Sequence, residues 1–260
     1  MKVSYSRIET FVQCPYQYKL KYIEKLKTRF NLDPANPLVL GTAIHEGIEI
    51  DIEQAIRHYY ANYPSLTKAH VLEAFKLEKL IPKAKAILPE GRYEDKVEYL
   101  DYIGFMDLLV YVGVDEEGNE IYDLYDFKYT NNIDTYMKSK QLHVYKYFFE
   151  KANPTKKIRK LYFVFIPKIN RGPFESLEKY EERIKSKING LEPTIQEVIY
   201  DVGKVKAFMS NTETCQKCKT FNKNPTRLCD WCDYKKYCQS NGADDTNIIY
   251  PDDYKKESED

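Results

Sequence analysis

Two runs of strand-forming residues flank an acidic turn in the middle of the chain. Residues 97–112 are rich in Val, Ile, Leu, Phe and Tyr, DEEGNE follows, and the pattern resumes in IYDLYDFKY. Such runs on either side of turn residues predict a β-hairpin. Helical spacing of apolar residues surrounds the hairpin, so the chain is expected to fold as an α/β protein around a sheet.

The helices are predicted from apolar residues that recur every three or four positions. One helix begins after Gly41, and two more cover residues 66–88 and 137–151. Residues 173–209 carry one or two further helices around Pro193. Ser6 and Glu9 form a capping-box pattern for an earlier helix that Pro15 interrupts. KLYFVFI at residues 160–166 predicts one more buried strand.

Length and charge limit the classes of function. A chain of 260 residues can form one α/β domain, expected here over residues 1–242. Forty basic and forty acidic residues give zero formal charge, so any surface that binds nucleic acid must be local or be supplied by a partner. No G-x4-GK[ST] phosphate loop is present, which argues against a helicase.

The two ends of the chain carry further expectations. The N-terminus lacks the apolar run of a signal peptide, and no segment has the ~20 apolar residues of a membrane span. A cytoplasmic protein with no membrane partner is therefore expected. Residues 243–260 are acidic and polar, and their composition predicts disorder.

Three charged residues on the hairpin suggest chemistry. Period-two alternation places Asp126 and Lys128 on one face of the second strand, and the first strand can bring Asp107 close to Asp126. Converging carboxylates bind hard cations such as Mg2+ or Mn2+, and a nearby lysine offsets charge in phosphodiester hydrolysis. Taken alone, D-x-K more often marks an ordinary exposed ion pair on a half-buried strand.

Other candidate residues carry weaker signals. His45 stands at the start of a predicted helix, where its imidazole could ligate a metal, although a lone histidine is usually structural. Gln141 and Tyr145 lie four residues apart on one helix face, where they could contact a phosphate or orient the lysine. The 24 Tyr and 12 Phe could stack on unpaired bases, although most aromatic side chains fill cores.

The order of these motifs resembles the RecB-like branch of the PD-(D/E)XK nucleases. The motifs are G-x3-H (Gly41, His45), G-x2-D (Gly104, Asp107), D-x-K (Asp126, Lys128) and Q-x3-Y (Gln141, Tyr145). The opening SYSRIETFVQCPYQYKLKY is similar to that of the iron–sulfur members, which include AddB nuclease domains, CRISPR-associated RecB-like nucleases and phage exonucleases. The resemblance covers residues 4–150 and 229–238.

The resemblance implies a restriction-endonuclease-like α/β fold, a mixed sheet flanked by helices, with a cysteine-rich embellishment that joins the N- and C-terminal segments. It implies His45, Asp107, Asp126 and the carbonyl of Phe127 as metal ligands, with Lys128 as the catalytic lysine. Gln141 and Tyr145 would help to shape the DNA site. The chain departs from the signature at Tyr125, where the family has Pro. Glu98 is a further acidic candidate, equally consistent with a solvated strand residue.

The six cysteines allow two metal sites. Cys229, Cys232 and Cys238, with the remote Cys14, are similar to the ligand set of a [4Fe–4S] cluster in those family members. Alternatively, Cys215, Cys218, Cys229 and Cys232 form two C-x2-C pairs ten residues apart, a spacing typical of structural Zn2+. The cluster is favoured, because Cys14 lies in a matching CP context and the zinc site would leave Cys238 unused.

The function predicted from these residues is a metal-dependent DNA exonuclease that acts on ends or single strands in recombination, repair or phage replication. Its partners would be DNA and a recombination or replication protein. One alternative is a CRISPR-adaptation nuclease that trims spacers. Another is a non-catalytic nucleic-acid-binding protein built on a zinc ribbon.

Overall fold

The structure, a computed structural model, describes residues 2–256, with side chains to residue 253. It comprises two compact units. The sheet unit is Leu32–Val202, and the end unit combines Met1–Asn31 with Gly203–Asp260. The single domain with an embellishment stays a prediction; residues 215–238 and the N-terminal residues belong to the same unit. No helix of the described part is long and apolar enough to cross a membrane.

A five-stranded mixed sheet forms the centre of the sheet unit, in the order β2-β3-β4-β5-β6. The strands are β2 Arg92–Tyr99, β3 Tyr102–Val114, β4 Glu120–Tyr129, β5 Lys156–Ile166 and β6 Thr194–Val198. Strands β2, β3 and β4 form an antiparallel meander, whereas β4 and β5 are parallel. A parallel neighbour requires a crossover, which the helices Ile133–Met137 and Gln141–Ala152 supply. The expected mixed α/β sheet is confirmed.

Helices flank this sheet. They are α3 Pro37–Glu49, α4 Ile52–Ala61, α5 Lys68–Ala86, α6 Ile133–Met137, α7 Gln141–Ala152 and α8 Leu177–Lys187. The main core packs α3, α4, α5 and α8 against the sheet, and its members include Ile44, Leu77, Ile184 and the strand residue Phe127. Burial of such apolar side chains provides the main stabilisation of the unit. It also fixes where α3 places its polar residues relative to β4.

Two local predictions need correction. Helix α3 begins at Pro37, before Gly41, because Asn36 caps it and proline suits a first helical position. Within residues 173–209, predicted to carry one or two helices around Pro193, Thr194–Val198 is the edge strand β6, paired antiparallel with β5. Strand β6 is mostly exposed, so it lacks the apolar run that marks a buried strand.

The end unit joins the two ends of the chain. Its elements are α1 Tyr5–Gln13, α2 Pro15–Tyr18, β1 Lys27–Thr28, α9 Val202–Lys217, α10 Lys235–Gln239, β7 Ile248–Ile249 and α11 Pro251–Lys256. A π-helical turn, Lys19–Ile23, follows α2, and a 3-10 turn, Arg227–Trp231, precedes α10. A small core of Leu20, Leu26, Tyr234 and Ile248 lies between these elements.

Part of the segment predicted to be disordered, 243–260, belongs to this unit. Strand β7 pairs antiparallel with β1, and Ile248 is buried in the small core. An isoleucine pair inside an acidic stretch thus provides apolar surface that overall composition does not reveal. Residues 257–260 lie outside the described residues.

Candidate active site

The hairpin of β3 and β4 brings the two predicted carboxylates together. The register pairs Leu108 with Tyr125, so Asp107 and Asp126 are the next residues on their strands. The backbone N–H of Phe127 donates a hydrogen bond to Oδ2 of Asp107 at 2.6 Å. Asp107 is 8% exposed and Asp126 is 0% exposed. Two buried carboxylates therefore lie side by side at this end of the sheet.

Helix α3 and strand β2 add two more ligand-type side chains. Nδ1 of His45 lies 3.5 Å from Oδ1 of Asp107 and 3.8 Å from Oε1 of Glu94. Ligand atoms of these three residues lie within 4.8 Å of one another, and no other such group occurs among residues 2–256. The ring of Phe127 packs edge-on against His45, with 5.6 Å between ring centroids, and so holds the imidazole in place.

Glu94 is the acidic residue that the sequence did not identify. The predicted candidate on this strand, Glu98, is exposed and ion-paired with Lys96 at 2.6 Å. Glu94 has a φ of +49°, and the β2–β3 register omits the pair that it would form with Asp107. Non-glycine residues seldom adopt positive φ, and such residues concentrate at functional sites. No sequence motif marks this irregularity.

Burial and like charge shape the electrostatics of the site. Burial raises the pKa of Asp107, the charge of Asp126 raises it further, and His45 and Lys128 only partly oppose them, which leaves a pKa of about 7. Burial lowers the pKa of His45, but Asp107 and Glu94 outweigh this effect and raise it above the usual value. Asp107 and Asp126 are therefore poorly solvated, and the nearby cations only partly offset their negative charge.

Lys128 is the buried cation of the site. Its Nζ forms an ion pair with Oδ1 of Asp126, and its side chain is only 15% exposed. Burial lowers the pKa of Lys128, but Asp126 and Asp107 outweigh this and raise it. The ammonium also lies over the rings of Tyr136 and Phe163, at 5.6 and 5.8 Å from their centroids. Lys128 is therefore charged and held beside the carboxylates.

Gln141 and Tyr145 contact each other, as their spacing predicts. Nε2 of Gln141 donates to the hydroxyl of Tyr145 at 3.2 Å. Helix α7 approaches β3 closely at Gly104, where an added Cβ would lie 3.0 Å from Cε1 of Tyr145 and 2.9 Å from the hydroxyl of Tyr102. This close packing explains why a glycine suits the first position of the G-x2-D motif. A role of Gln141 and Tyr145 toward phosphate stays a prediction.

The chemistry of these side chains fits a divalent cation. Apart from the ion pair with Lys128, neither oxygen of Asp126 accepts a hydrogen bond from the described residues. A buried carboxylate without hydrogen-bond donors is costly unless a cation neutralises it. Carboxylate oxygens are the ligands preferred by Mg2+ and Mn2+, and imidazole is a common ligand of transition-metal ions.

The cysteines of the end unit divide into two sets. Cys14, Cys229, Cys232 and Cys238 line one cavity of about 280 Å3. Cys215 and Cys218 do not line it. All six are free, and within the described chain no three of their sulfur atoms lie within 4.8 Å of one another. The first set is the one favoured from the sequence for the cluster.

The fold and site define an α/β protein with a buried acidic centre suited to a divalent metal and phosphodiester chemistry. The chain belongs to the PD-(D/E)XK nuclease superfamily, whose family model matches residues 2–239. Members of this superfamily are generally metal-dependent nucleases, so the nuclease class predicted from the sequence is confirmed. Comparison with curated proteins gives no match.

Proposed function

We propose that this protein is a divalent-metal-dependent DNA exonuclease of the RecB-like branch, acting on ends or single strands in recombination, repair or phage replication. The observation that carries the proposal is the pair of buried carboxylates, Asp107 and Asp126, beside the buried ammonium of Lys128. An ordinary surface ion pair would be solvated. A second, closely placed carboxylate would be unfavourable unless a cation binds there.

In this proposal His45, Glu94 and Asp107 hold Mg2+ or Mn2+, and Asp126 and the carbonyl of Phe127 complete the ligand set. The bound ion supplies Lewis-acid polarisation of the scissile phosphate and lowers the pKa of a water. Lys128 stabilises negative charge on the phosphoryl oxygens, and Asp126 holds its ammonium in place. Gln141 and Tyr145 position the strand from α7.

Two glutamates on β2 provide a matched test of the metal site. Glu94→Gln removes a carboxylate near His45, whereas Glu98→Gln makes the same change on an exposed residue of the same strand. Glu94→Gln is expected to weaken Mn2+ binding about 10- to 100-fold in calorimetry, because loss of a metal-site partner typically has an effect of this size. Glu98→Gln should bind Mn2+ with an affinity near that of the wild type. Equal Mn2+ affinities in the two variants would remove Glu94 from the site.

The exonuclease assignment is tested with two substrates of the same sequence. Purified protein in Mn2+ is expected to degrade end-labelled linear single-stranded DNA, to leave the circular form intact and to stop with EDTA. Cleavage of circles would indicate an endonuclease instead. Binding of both forms without cleavage would favour the non-catalytic alternative or a nuclease that requires its partner protein.

We also propose that Cys14, Cys229, Cys232 and Cys238 hold a [4Fe–4S] cluster. Their shared cavity supports this. A bridge between residue 14 and residues 229–238 would cross-link almost the whole chain, an effect worth a few kcal/mol for loops of this length.

The cluster is tested by iron content and visible absorption after anaerobic purification. About four iron atoms per chain are expected. Cys232→Ser is expected to lose both signals. The matched change Cys218→Ser should keep them, because Cys218 lies away from the cavity and donates to the carbonyl of Thr220. Stoichiometric zinc in place of iron, or loss of metal in Cys218→Ser, would instead support the zinc alternative.

A further inference from the structure

A second cavity, of about 430 Å3, lies in the sheet unit, and we call it the loop cavity. Its polar lining includes Glu73 and Lys76 of α5, Tyr129 at the end of β4, Lys168 and Arg171 of the β5–α8 loop, and Tyr180 of α8. A water molecule occupies ~30 Å3 and small-ligand pockets begin near 300 Å3. The loop cavity is therefore large enough for a ligand.

The most buried polar residues of the loop cavity neutralise one another. Nζ of Lys76 lies 2.6 Å from Oε2 of Glu73, and both side chains are under 5% exposed. The hydroxyl of Tyr180 lies 2.8 Å from Nζ of Lys76 and 3.0 Å from Oε1 of Glu73. This network fixes part of the lining and contributes no net charge. The remaining groups decide which ligand the cavity takes.

Those remaining groups are mainly donors. Nζ of Lys168 has no carboxylate within ion-pair distance among the described residues and lies 4.5 Å from the ring centroid of Tyr129. Burial and then the charge of Lys76 lower the pKa of Lys168. The hydroxyl of Tyr129 is buried and has no hydrogen-bond partner in the described part of the chain. Among the described residues, the hydrogen bond of Arg171 is donated by Nε to the carbonyl of Glu175.

The carboxylates that line the loop cavity do not cancel the charge of its cations. Glu73 is neutralised by Lys76, and Asp33 accepts the backbone N–H of Ala35 at 2.8 Å. Beside the Glu73–Lys76 pair, the lining therefore carries two cations, Lys168 and Arg171, against one further carboxylate, Asp33. A buried donor without an acceptor costs about 1–3 kcal/mol, so an oxygen-rich anion that pairs with Tyr129 and Lys168 would be stabilised.

An exposed aromatic residue follows the cavity lining in the sequence. Phe174 follows Pro173, which lines the loop cavity, and its side chain is fully exposed. Exposed aromatic rings next to cations are the common means by which proteins hold unpaired bases and their phosphates. Tyr129 directly follows Lys128 at the end of β4, so the two side chains point to opposite faces of the sheet.

We propose that the loop cavity binds a phosphate group of the single nucleic-acid strand, outside the scissile phosphate, with the adjoining base stacked on Phe174. This inference rests on the proposed nuclease function. It adds a second place, outside the scissile phosphate, at which the protein holds the substrate strand. Lys168 and Arg171 neutralise the phosphate, and Tyr129 donates to one of its oxygens.

The test measures the affinity for fluorescein-labelled oligothymidylate by anisotropy in EDTA, so that no strand is cut, at several salt concentrations. Lys168→Gln and Arg171→Ala are each expected to weaken binding about tenfold. Each should also reduce the slope of log affinity against log salt by about 0.7, as for one lost phosphate contact on a single strand. Phe174→Ala should weaken binding about tenfold without a change of slope. Lys187→Ala removes an exposed cation on α8 and should match wild type in both.

Folding failure does not obscure this test, because Arg171 and Phe174 are exposed and their truncation leaves the core intact. Competition by thymidine monophosphate but not by inorganic phosphate would assign the cavity to a nucleotide of the strand. Competition by inorganic phosphate at equal concentration would assign it to free phosphate and overturn the nucleic-acid proposal.

Failure of this inference is distinguishable from failure of the nuclease function. Wild-type affinity and slope in Lys168→Gln, Arg171→Ala and Phe174→Ala, with metal-dependent cleavage retained, would refute the loop-cavity proposal alone. Cavity-dependent binding without cleavage in Mn2+ would support it and refute the nuclease proposal.

Discussion

Asp107→Asn is predicted to stabilise the metal-free protein at alkaline pH, although it damages the site. The pKa of Asp107 is raised from 3.8 to about 7. At 1.36 kcal/mol per pKa unit, the charged carboxylate costs the folded state up to about 4 kcal/mol. Asparagine removes this charge and can still accept the N–H of Phe127. We expect a gain of about 1–4 kcal/mol at pH 8 in EDTA.

The pH dependence follows from the direction of the shift. A carboxyl whose pKa is raised on folding binds its proton more tightly in the folded state. The free energy of unfolding of the wild type therefore falls as pH rises from about 4 through about 7. At pH 5 Asp107 is already protonated and neutral, like asparagine, so the advantage of the variant should largely disappear. Denaturant unfolding at pH 5 and pH 8 measures this difference.

Metal should reverse the order of stability. Mn2+ at about 1,000 times its dissociation constant stabilises the wild type by about 4.1 kcal/mol, which offsets the whole expected advantage of the variant, and the variant should gain much less. Asp123→Asn on β4 is the control. Asp123 is also buried, but Nη2 of Arg159 donates to it at 2.7 Å, so its loss should destabilise with or without metal. Lower stability of Asp107→Asn than wild type in EDTA at pH 8 would refute the reasoning.

Two further predictions concern packing and the buried ion pair. Gly47→Ala should lower the free energy of unfolding by about 1–3 kcal/mol, because the new Cβ would lie 2.6 Å from Cδ1 of Ile81. Gly41→Ala has open space around the new Cβ and should be neutral or stabilising in thermal unfolding. Lys76→Ala should cost about 3–5 kcal/mol in urea titration, because it leaves Glu73 buried without its partner; a change below about 1 kcal/mol would show that Glu73 is otherwise solvated.

The sequence predicted the hairpin and the placement of its charges because both follow from short-range rules. Alternation put Asp126 and Lys128 on one face. The hairpin placed Asp107 beside Asp126, although the register of the two strands shifts between Tyr111 and Gly113, which the sequence did not predict. Glu94 could not be predicted in this way. Its position near His45 depends on the register of β2 with β3 and on a positive φ, and both are set by tertiary packing.

The remaining differences have similar causes. Strand β6 is an exposed edge whose sequence lacks the alternation of a half-buried strand. Strand β7 is only two residues long, and Ile248 is ordered by a core contributed largely from the other end of the chain. The loop cavity is likewise invisible to sequence, because its lining comes from helices, a strand end and a loop that are far apart along the chain.

The most direct test of the central claim is the rate of DNA cleavage in Mn2+ by wild type, Lys128→Ala and the exposed control Lys138→Ala. If Lys128 stabilises charge in phosphodiester hydrolysis, its truncation should reduce the rate about 100- to 1,000-fold, and Lys138→Ala should keep the wild-type rate. Cleavage by folded Lys128→Ala at the wild-type rate would place the nuclease centre elsewhere and contradict this account.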